Sequence, residues 1–363
     1  MKILVIPNRG RSYNAVRPEA ECYIGLAQAG HDVTILTCDS NAYLEEYQKA
    51  DLKVVMLQSL KKHSWAVIKQ IHQYIKSHHI DIVYATESKG IPNAAFACIG
   101  TQAKMIAYRG TTGGLYKSDL SNYLCMLHPR IDGVICVSEA VTNYVKPKMS
   151  GAIQSYVSTI YKGHDLAWYQ DDAVELSSLH TQSENFNIVC IGSPRPQKGM
   201  QYMLDAMKEL GDIDNIRLIL VGDNFDCEPY TSNIKATGMN DKIIQTGFRS
   251  DVPQIAKACD VLVLPSEREG LPRVVLESLA VGTPVITSAN EGAMAIIEDQ
   301  INGYIVPIGD THALAQKIRM LSQDSETLAK ISADANEVIK NKMSHKKTVQ
   351  DMESYFHEIL TPA

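Results

Sequence analysis

Short apolar runs alternate with longer helical patterns along almost the whole chain. In the first half, the runs predict strands at Lys2–Ile6, Asp32–Thr37, Val54–Leu57, Asp81–Ala85, Lys104–Tyr108 and Gly133–Val137. Helical stretches such as Glu19–Gln28 and Trp65–Ser77 lie between these runs. Strands that alternate with helices in this way are typical of βαβ units, so the pattern predicts a parallel sheet.

The same alternation restarts after a polar stretch of low periodicity, residues 166–185, which we interpret as a linker. The second set of strands is predicted at Asn187–Ile191, Arg217–Val221, Lys242–Gln245, Asp260–Leu264, Thr283–Thr287 and Gly303–Val306. We therefore expect two doubly wound α/β domains, residues 1–165 and 166–343. They would face each other across a ligand-binding cleft at the carboxyl ends of their strands.

The last predicted helix, residues 344–363, carries an apolar stripe that needs a surface to pack on. The stripe consists of Val349, Met352, Tyr355, Phe356 and Ile359. Ser344 suits the N-cap of this helix. Thr311 and Ser325 likewise suit the N-caps of two helices that precede it.

Neither a secretory signal nor a membrane span is evident in the sequence. The apolar run at the start stops after about four residues, and no uncharged stretch approaches the ~20 apolar residues of a membrane helix. The eight cysteines are scattered without a CxxC pair, which favours reduced thiols over disulfides or zinc. These features predict a cytoplasmic protein.

The two halves differ in charge. Residues 1–165 hold 18 lysines and arginines against 13 acidic residues, whereas the remainder holds 17 against 28. A basic half joined to an acidic half predicts that the first half faces something anionic. Ordinary variation between two domains is the alternative.

Residues 266–284, SEREGLPRVVLESLAVGTP, follow a predicted buried strand. Pro272 suits the first turn of a helix and Gly282 suits the position just after its end. Glu269 then lies in the loop, and Glu277 lies within a helix that is apolar nearly all round. A carboxylate held there needs hydrogen-bond donors, which a ribose diol would supply.

The start of the same helix offers free backbone N–H groups beside Gly270 and a partial positive charge, which together favour a diphosphate. The alternative is an ordinary i,i+4 ion pair between Arg273 and Glu277. A second loop, Gly192 to Gly199, adds a glycine for close approach and two cations, Arg195 and Lys198. Surface cations in a turn are usually solvated, and this loop is neither a Walker A loop nor a GxGxxG fingerprint.

The segment Glu269-Gly270-Leu271-Pro272 followed by Glu277 resembles the E-x7-E motif of the family 4 glycosyltransferases, which are retaining enzymes of the GT-B fold. Further resemblances lie at residues 30–37, 134–139, 161–165, 247–251 and 291–292. The resemblance therefore extends over most of the chain. It implies two Rossmann-like domains, with the C-terminal helix crossing back to the first.

The resemblance also implies roles for individual residues. Glu269 would hold hydroxyls of the donor sugar, and Glu277 would hold the ribose. The diphosphate would be bound by the backbone at Gly270, Leu271, Pro272 and Arg273, together with Arg195 and Lys198. Gly192 and Ser193 are also expected to bind the donor. The backbone near Phe248 and Arg249 would meet the base.

Three positions depart from the family pattern. Ser193 stands where the family usually has an arginine, and we expect Arg195 to substitute for it. Arg109 follows the strand after which the family often has a catalytic-region histidine. Arg109 can stabilise charge but cannot act as a general base. The family's glycine pair is also missing from the loop at residues 8–17.

Basic residues follow three predicted strands of the first domain. They are Arg9, Arg11, Arg17, Lys89 and Arg109. Because arginine recognises phosphate with two parallel hydrogen bonds, we expect an anionic acceptor. The alternatives are that these side chains contact the donor's diphosphate or pair with Glu19, Glu21 and Glu87.

The predicted activity is transfer of a sugar from a nucleotide sugar, first of all a UDP-sugar, to a hydroxyl of a glycan or glycolipid. Catalytic roles are assigned to Glu269, Arg195, Lys198 and Arg109. No cofactor or metal is expected, because no DxD pair precedes the cleft and the eleven histidines lack HxxxH spacing. No nucleic-acid partner is expected. The family resemblance favours bacterial surface polysaccharide or lipopolysaccharide synthesis as the setting.

Other readings stay open. Basic residues flank the apolar stripe of Trp65, Ile68, Ile71 and Ile75, which fits either a membrane-surface helix on the inner face of the cell membrane or a core helix with a solvated face. The activity can instead be that of a nucleotide-sugar epimerase or phosphorylase. A non-catalytic nucleotide-sugar-binding subunit is a further alternative. A NAD-dependent enzyme is disfavoured because no GxGxxG occurs.

Overall fold

The computed structural model describes residues 1–8, 12–38, 41–57 and 60–361. The chain divides into two compact units. The first unit comprises Met1–Gly163 and His345–Ala363, and the second comprises His164–Ser344. The segment predicted as a linker belongs to the second unit, where it contains the 3₁₀ helices Leu166–Tyr169 and Leu176–Leu179.

The first unit is built on a seven-stranded parallel sheet. Its strands are β1 (Lys2–Ile6), β2 (Asp32–Thr37), β3 (Lys53–Met56), β4 (Ile82–Ala85), β5 (Lys104–Arg109), β6 (Gly133–Cys136) and β7 (Val157–Thr159). Their order in the sheet is β3-β2-β1-β4-β5-β6-β7. The helices are α1 (Tyr13–Gln28), α2 (Leu44–Lys49), α3 (Trp65–His78), α4 (Gly90–Ala97), α5 (Leu120–Tyr123) and α6 (Glu139–Val145). This is a doubly wound α/β sheet.

The second unit repeats the architecture with six parallel strands. They are β8 (Phe186–Ile191), β9 (Ile216–Val221), β10 (Ile243–Gly247), β11 (Val261–Leu264), β12 (Val285–Ser288) and β13 (Gly303–Val306), in the order β10-β9-β8-β11-β12-β13. The helices are α7 (Met200–Lys208), α8 (Tyr230–Lys235), α9 (Val252–Ala258), α10 (Arg273–Ala280), α11 (Glu291–Met294), α12 (Thr311–Gln323), α13 (Ser325–Asp334) and α14 (Glu337–Asn341).

Both sheets have a topological switch point. In the first unit β1 lies beside β4, and in the second unit β8 lies beside β11. After the first strand of each pair the chain continues toward one edge of the sheet, and after the second strand it continues toward the other edge. Ligands of doubly wound sheets bind in the crevice at the carboxyl ends of such a strand pair. We therefore expect ligand-binding residues in the loops after β1 and β4 of the first unit and after β8 and β11 of the second.

The final helix, α15 (His345–Leu360), packs on the first unit as its apolar stripe predicts. Met352, Phe356 and Ile359 are buried in the core of that unit. The hydroxyl of Tyr355 donates a hydrogen bond to the carbonyl of Tyr156 at 2.7 Å. Burial of this stripe stabilises the helix, which its propensity alone would leave marginal.

The twelve predicted strands all form, with ends shifted by at most two residues, but β7 was missed. β7 is only three residues long and ends the sheet. Two predicted N-caps were wrong by one position. Asp310 and Asp324 cap α12 and α13, and each carboxylate accepts an N–H at 2.9 Å.

Helix α3 uses its apolar stripe in the core. Ile68, Ile71 and Ile75 are buried, whereas Trp65 is 80% exposed. The interpretation as a core helix is thus confirmed for the three isoleucines. Within the described residues, no helix has the length and the apolar character that a membrane span requires.

Candidate functional site

The loops after β8 and β11 meet at the switch point of the second unit. The ammonium nitrogen of Lys198, in the first loop, lies 2.8 Å from Oε1 of Glu269 in the second. The backbone N–H of Glu267 donates to the carbonyl of Gln197 at 2.9 Å. Two side chains predicted as site residues from separate motifs, 71 residues apart, are therefore in direct contact.

Gly199 lets these two loops approach closely, and Gly292 on α11 lets that helix approach the Glu269 loop. Gly199 has a φ of +64°, and a Cβ there would lie 2.0 Å from the carbonyl oxygen of Pro265. A Cβ on Gly292 would lie 2.6 Å from the carbonyl oxygen of Glu269. Any side chain at either position would push the Glu269 loop away. The Asn290 side chain also fixes the position of the Glu269 loop, because it donates a hydrogen bond to the Ser266 carbonyl at 3.2 Å.

The start of α10 leaves backbone donors unused. The N–H groups of Gly270, Leu271, Arg273 and Val274 donate to no acceptor among the described residues. Pro272 occupies the N-cap position and has no N–H to offer. Unused N–H groups at the start of a helix, together with the helix dipole, form a binding site for a phosphate or another anion.

Glu277 projects from the second turn of α10 and is only 1% exposed. Arg273 Nε lies 3.1 Å from Glu277 Oε1, so the i,i+4 pair forms. The contact lacks hydrogen-bond geometry, and neither oxygen of Glu277 accepts a hydrogen bond within the described part of the chain. Burial raises the pKa of Glu277 to about 7, although Arg273 opposes the rise. A buried carboxyl in this state is destabilising unless a ligand supplies donors.

The remaining predicted residues of the second unit lie around this loop or at the end of β10. Ser193 and Arg195 are exposed, and the Arg195 guanidinium makes no hydrogen bond or ion pair with another described residue. Phe248 follows β10 and is 62% exposed. The Arg249 side chain is engaged with Asp251 through two hydrogen bonds, of 2.8 and 2.5 Å. Asp251 therefore fixes the orientation of the Arg249 side chain and uses two of its five N–H donors.

The first unit contains a pocket of about 280 Å³ after β4 and β5. Its lining includes two basic side chains, Lys62 and Arg109, and the hydroxyls of Thr86, Thr111 and Ser121. Arg109 donates from Nε to the carbonyl of Thr111 at 2.9 Å and also to that of Gly113. The structure therefore gives this guanidinium a role in holding its own loop.

The predicted acceptor residues are placed differently. Arg17 and Lys89 do not line the pocket. Lys89 is exposed at the start of α4, and the Arg17 guanidinium lies 5.5 Å from the ring centroid of Tyr13. Arg9 and Arg11 lie outside the described residues.

A buried ion pair lies at the switch point of the first unit. Glu19 pairs with Lys162 and accepts hydrogen bonds from the hydroxyls of Tyr23 and Thr86 and from the backbone of Asn8. The Lys162 ammonium lies 3.8 Å from the ring centroid of Tyr108. Burial opposes ionisation of Glu19, but Lys162 and the hydroxyls hold the pKa of that carboxyl below its usual value.

Two family models match the chain. The model "Glycosyltransferase Family 4" matches residues 21–168, and the model "Glycosyl transferases group 1" matches residues 175–338. The chain belongs to the family 4, group 1 glycosyltransferases. The predicted family is therefore confirmed.

Two relatives span most of this glycosyltransferase. N-acetyl-alpha-D-glucosaminyl L-malate synthase of Bacillus anthracis is 24% identical over 358 residues, covering 92% of this chain and 91% of that protein. UDP-Gal:alpha-D-GlcNAc-diphosphoundecaprenol alpha-1,3-galactosyltransferase of Escherichia coli is 25% identical over 322 residues, covering 80% of each chain.

The fold agrees with these relationships. The crystal structure of Anabaena HepE in complex with UDP has a TM-score of 0.78 to this glycosyltransferase and is 21% identical, covering 98% of this chain and 99% of that one. The predicted GT-B fold class, with two Rossmann-like parallel-sheet units, is confirmed.

Sequence reasoning missed two residues of these sites. Lys62 lines the first-unit pocket, and its only signal was the basic run Lys61-Lys62-His63. Lys162 lies in the segment 161–165 that resembles the family pattern, but nothing in that segment indicates its partner Glu19, which is 143 residues away. In the second unit of the glycosyltransferase, by contrast, the predicted residues Lys198 and Glu269 are in contact, and Arg273 and Glu277 form a pair on α10.

Proposed function

We propose that this glycosyltransferase transfers a sugar from a UDP-sugar to a hydroxyl of an anionic glycan or glycolipid, with retention at the anomeric carbon. The observation that carries the donor site is the buried carboxylate of Glu277, whose oxygens accept no hydrogen bond from the described residues. The setting we propose is assembly of a bacterial surface polysaccharide or lipopolysaccharide.

Each part of the donor has a complementary group in the second unit. The two ribose hydroxyls donate to the oxygens of Glu277. The diphosphate accepts from the unused N–H groups of Gly270, Leu271, Arg273 and Val274, with Arg195 and Lys198 supplying positive charge. Glu269 holds the sugar hydroxyls, and the backbone beside the exposed Phe248 meets the base.

The names of two similar proteins support uridine as the nucleoside. The Anabaena protein was solved with UDP, and the Escherichia coli relative is named for UDP-Gal.

The chemistry we propose is front-face attack. The acceptor oxygen forms a bond to the anomeric carbon on the face from which the diphosphate oxygen departs, and the leaving phosphate takes the acceptor's proton. Positive charge fixed beside the diphosphate stabilises the negative charge that develops as the bond breaks. Arg195, Lys198 and the start of α10 supply that charge, and no metal or cofactor enters the step.

Removing the Glu277 carboxylate should weaken binding of UDP. Glu277→Ala abolishes charge-assisted hydrogen bonds worth about 1.5–3 kcal/mol, which corresponds to a roughly 10- to 100-fold rise in Kd. Titration calorimetry with UDP at pH 8, above the pKa of about 7, measures the change.

Two further variants sharpen this test. Glu277→Gln keeps one acceptor oxygen and should lie between the wild type and the alanine variant. Glu326→Gln, an exposed carboxylate on α13, should leave the affinity unchanged. Equal UDP affinity in wild type and Glu277→Ala would remove the ribose assignment.

We propose that the acceptor binds in the first unit and is anionic. The pocket there is lined by Lys62 and Arg109. Arg9 and Arg11, which lie outside the described residues, follow β1 in the sequence. Both full-length relatives are named for compounds that bear negative charge, L-malate and a diphosphoundecaprenol. Arg17 and Lys89 remain part of this proposal as outlying positive charge.

Neutralising Arg9 and Arg11 together should raise the acceptor KM and flatten its dependence on salt, because less charge attracts the acceptor. Donor affinity should stay within about twofold, or ~0.4 kcal/mol. Initial rates across a panel of anionic glycans and lipid-linked diphosphate sugars give the measurement. A collapse of donor affinity would place this loop in the donor site instead.

A glycolipid acceptor also implies contact with a membrane surface, which we propose for the first unit. Trp65 and Leu120 are each 80% exposed there. Each lies close in the sequence to a residue that lines the first-unit pocket, Lys62 and Ser121 respectively. Apolar side chains beside basic ones suit an anionic bilayer. Failure of the protein to sediment with anionic vesicles would exclude this contact.

A further inference from the structure

Three potential metal ligands meet on the first unit, away from both candidate sites. His31 lies in the turn before β2, while Glu353 and His357 lie one turn apart on α15. Nε2 of His31 is 3.0 Å from Oε1 of Glu353. One ligand atom from each of the three residues lies within 4.8 Å of those of the other two.

The fold holds this arrangement in place. Helix α15 packs against α1 through its buried stripe. The side of α15 that carries Glu353 and His357 therefore lies near the turn that follows α1. In that turn the backbone N–H of His31 donates to the Leu26 carbonyl at 3.2 Å. Glu353 and His357 share one helix face because they are four residues apart.

The hydrogen bond between His31 and Glu353 does not account for the third member of the group, His357. His357 adds an exposed imidazole whose ring centroid lies 6.1 Å from that of His31. That imidazole makes no hydrogen bond with any residue in the described ranges. The His357 imidazole therefore lies close to His31 and Glu353 but makes no hydrogen bond with either of them.

We propose that His31, Glu353 and His357 bind one divalent transition-metal ion, with Zn²⁺ the best match. Two imidazoles and one carboxylate form a zinc ligand set, whereas Mg²⁺ and Ca²⁺ prefer oxygen ligands alone. Ligands at zinc bond lengths lie about 3.3 Å apart in a tetrahedron. The His31–Glu353 contact is already near that separation, and rotation of the exposed His357 side chain closes the rest.

The ion joins elements from opposite ends of the sequence. It ties α15 to the turn between α1 and β2, and so it stabilises the packing of the C-terminal helix on the first unit. A ligand that binds only the folded chain stabilises it by RT ln(1 + [L]/Kd), so the melting temperature rises with ligand concentration and with affinity. The proposed ion has this effect without taking part in sugar transfer.

The test is calorimetric titration of ZnCl₂ into the full chain, free of any affinity tag and stripped with EDTA. We expect one site per chain, a melting temperature several degrees higher with zinc, and no binding of Mg²⁺ under the same conditions. His357→Ala, at an exposed position, should weaken zinc binding at least tenfold, as should His31→Ala.

His312→Ala is the matched control. His312 lies 2.7 Å from Glu209, and this exposed histidine–glutamate pair has no third metal ligand among the described residues. Its loss should leave zinc binding unchanged. Absence of stoichiometric zinc binding in the wild type, or equal binding in His357→Ala, overturns the proposal.

Discussion

Replacing Glu269 by alanine should lower turnover about a hundredfold while affinity for UDP does not fall. Glu269 is proposed to position the donor sugar, and misplacing the reacting centre by even 1 Å costs about 10²-fold in rate. The uridine and diphosphate contacts are made by other groups. Lys198, which now pairs with Glu269 at 2.8 Å, would remain beside the diphosphate. Steady-state kinetics and UDP titration on the same preparation separate the two effects.

Glu267 supplies the control for this experiment. It lies in the same loop, is exposed, and accepts a hydrogen bond from Tyr202 at 2.5 Å. Glu267→Ala should therefore change turnover little. If Glu269→Ala lost UDP affinity and turnover in equal measure, Glu269 would be structural or would touch the nucleotide.

Replacing Lys162 by methionine should destabilise the first unit by about 3 kcal/mol. Removing one partner of a buried ion pair costs roughly 3–5 kcal/mol, because the other charge stays buried and unpaired. Glu19 is buried, but 24% of the Lys162 side chain remains exposed, which places the loss at the lower end. Urea denaturation followed by circular dichroism measures it.

The double variant Glu19→Gln with Lys162→Met distinguishes a true pair from two unrelated losses. Because the double variant no longer buries an unpaired Glu19 carboxylate, it should regain most of the free energy of unfolding that Lys162→Met loses. The two sites are in direct contact and are therefore coupled. Thr86 and Tyr108 contact this pair and also line the first-unit pocket. A double variant as unstable as Lys162→Met alone would show that the charges are not coupled.

Local sequence patterns predicted the fold well because both sheets are built from βαβ units, and each unit is a continuous stretch of the chain. The apolar run of β11, the proline before α10 and the glycine after it are enough to place Glu277 in a helix, and the φ of +86° at Gly282 is the expected helix end. The apolar surroundings of Glu277 in the sequence likewise predicted its burial. The residue roles attached to this segment stay predictions.

Interactions between distant residues could not be predicted in the same way. Nothing in the local sequence links Glu19 to Lys162, or His31 to Glu353, because each pair is brought together by the packing of elements far apart in the chain. The hydrogen bonds from the Arg109 guanidinium to the carbonyls of Thr111 and Gly113 were likewise not predicted, and the catalytic role assigned to Arg109 stays a prediction. The aspartate caps of α12 and α13 were missed because Thr311 and Ser325 are also good capping residues.

Hydrogen–deuterium exchange with and without UDP tests the central claim most directly. The N–H groups of Gly270, Leu271, Arg273 and Val274 have no acceptor within the described protein, so they should exchange fast in the free protein. Saturating UDP should slow exchange in residues 267–277 and 192–199, since the diphosphate then accepts from these groups. Protection confined to the first unit, or no change in these two segments when the site is saturated, would contradict the account.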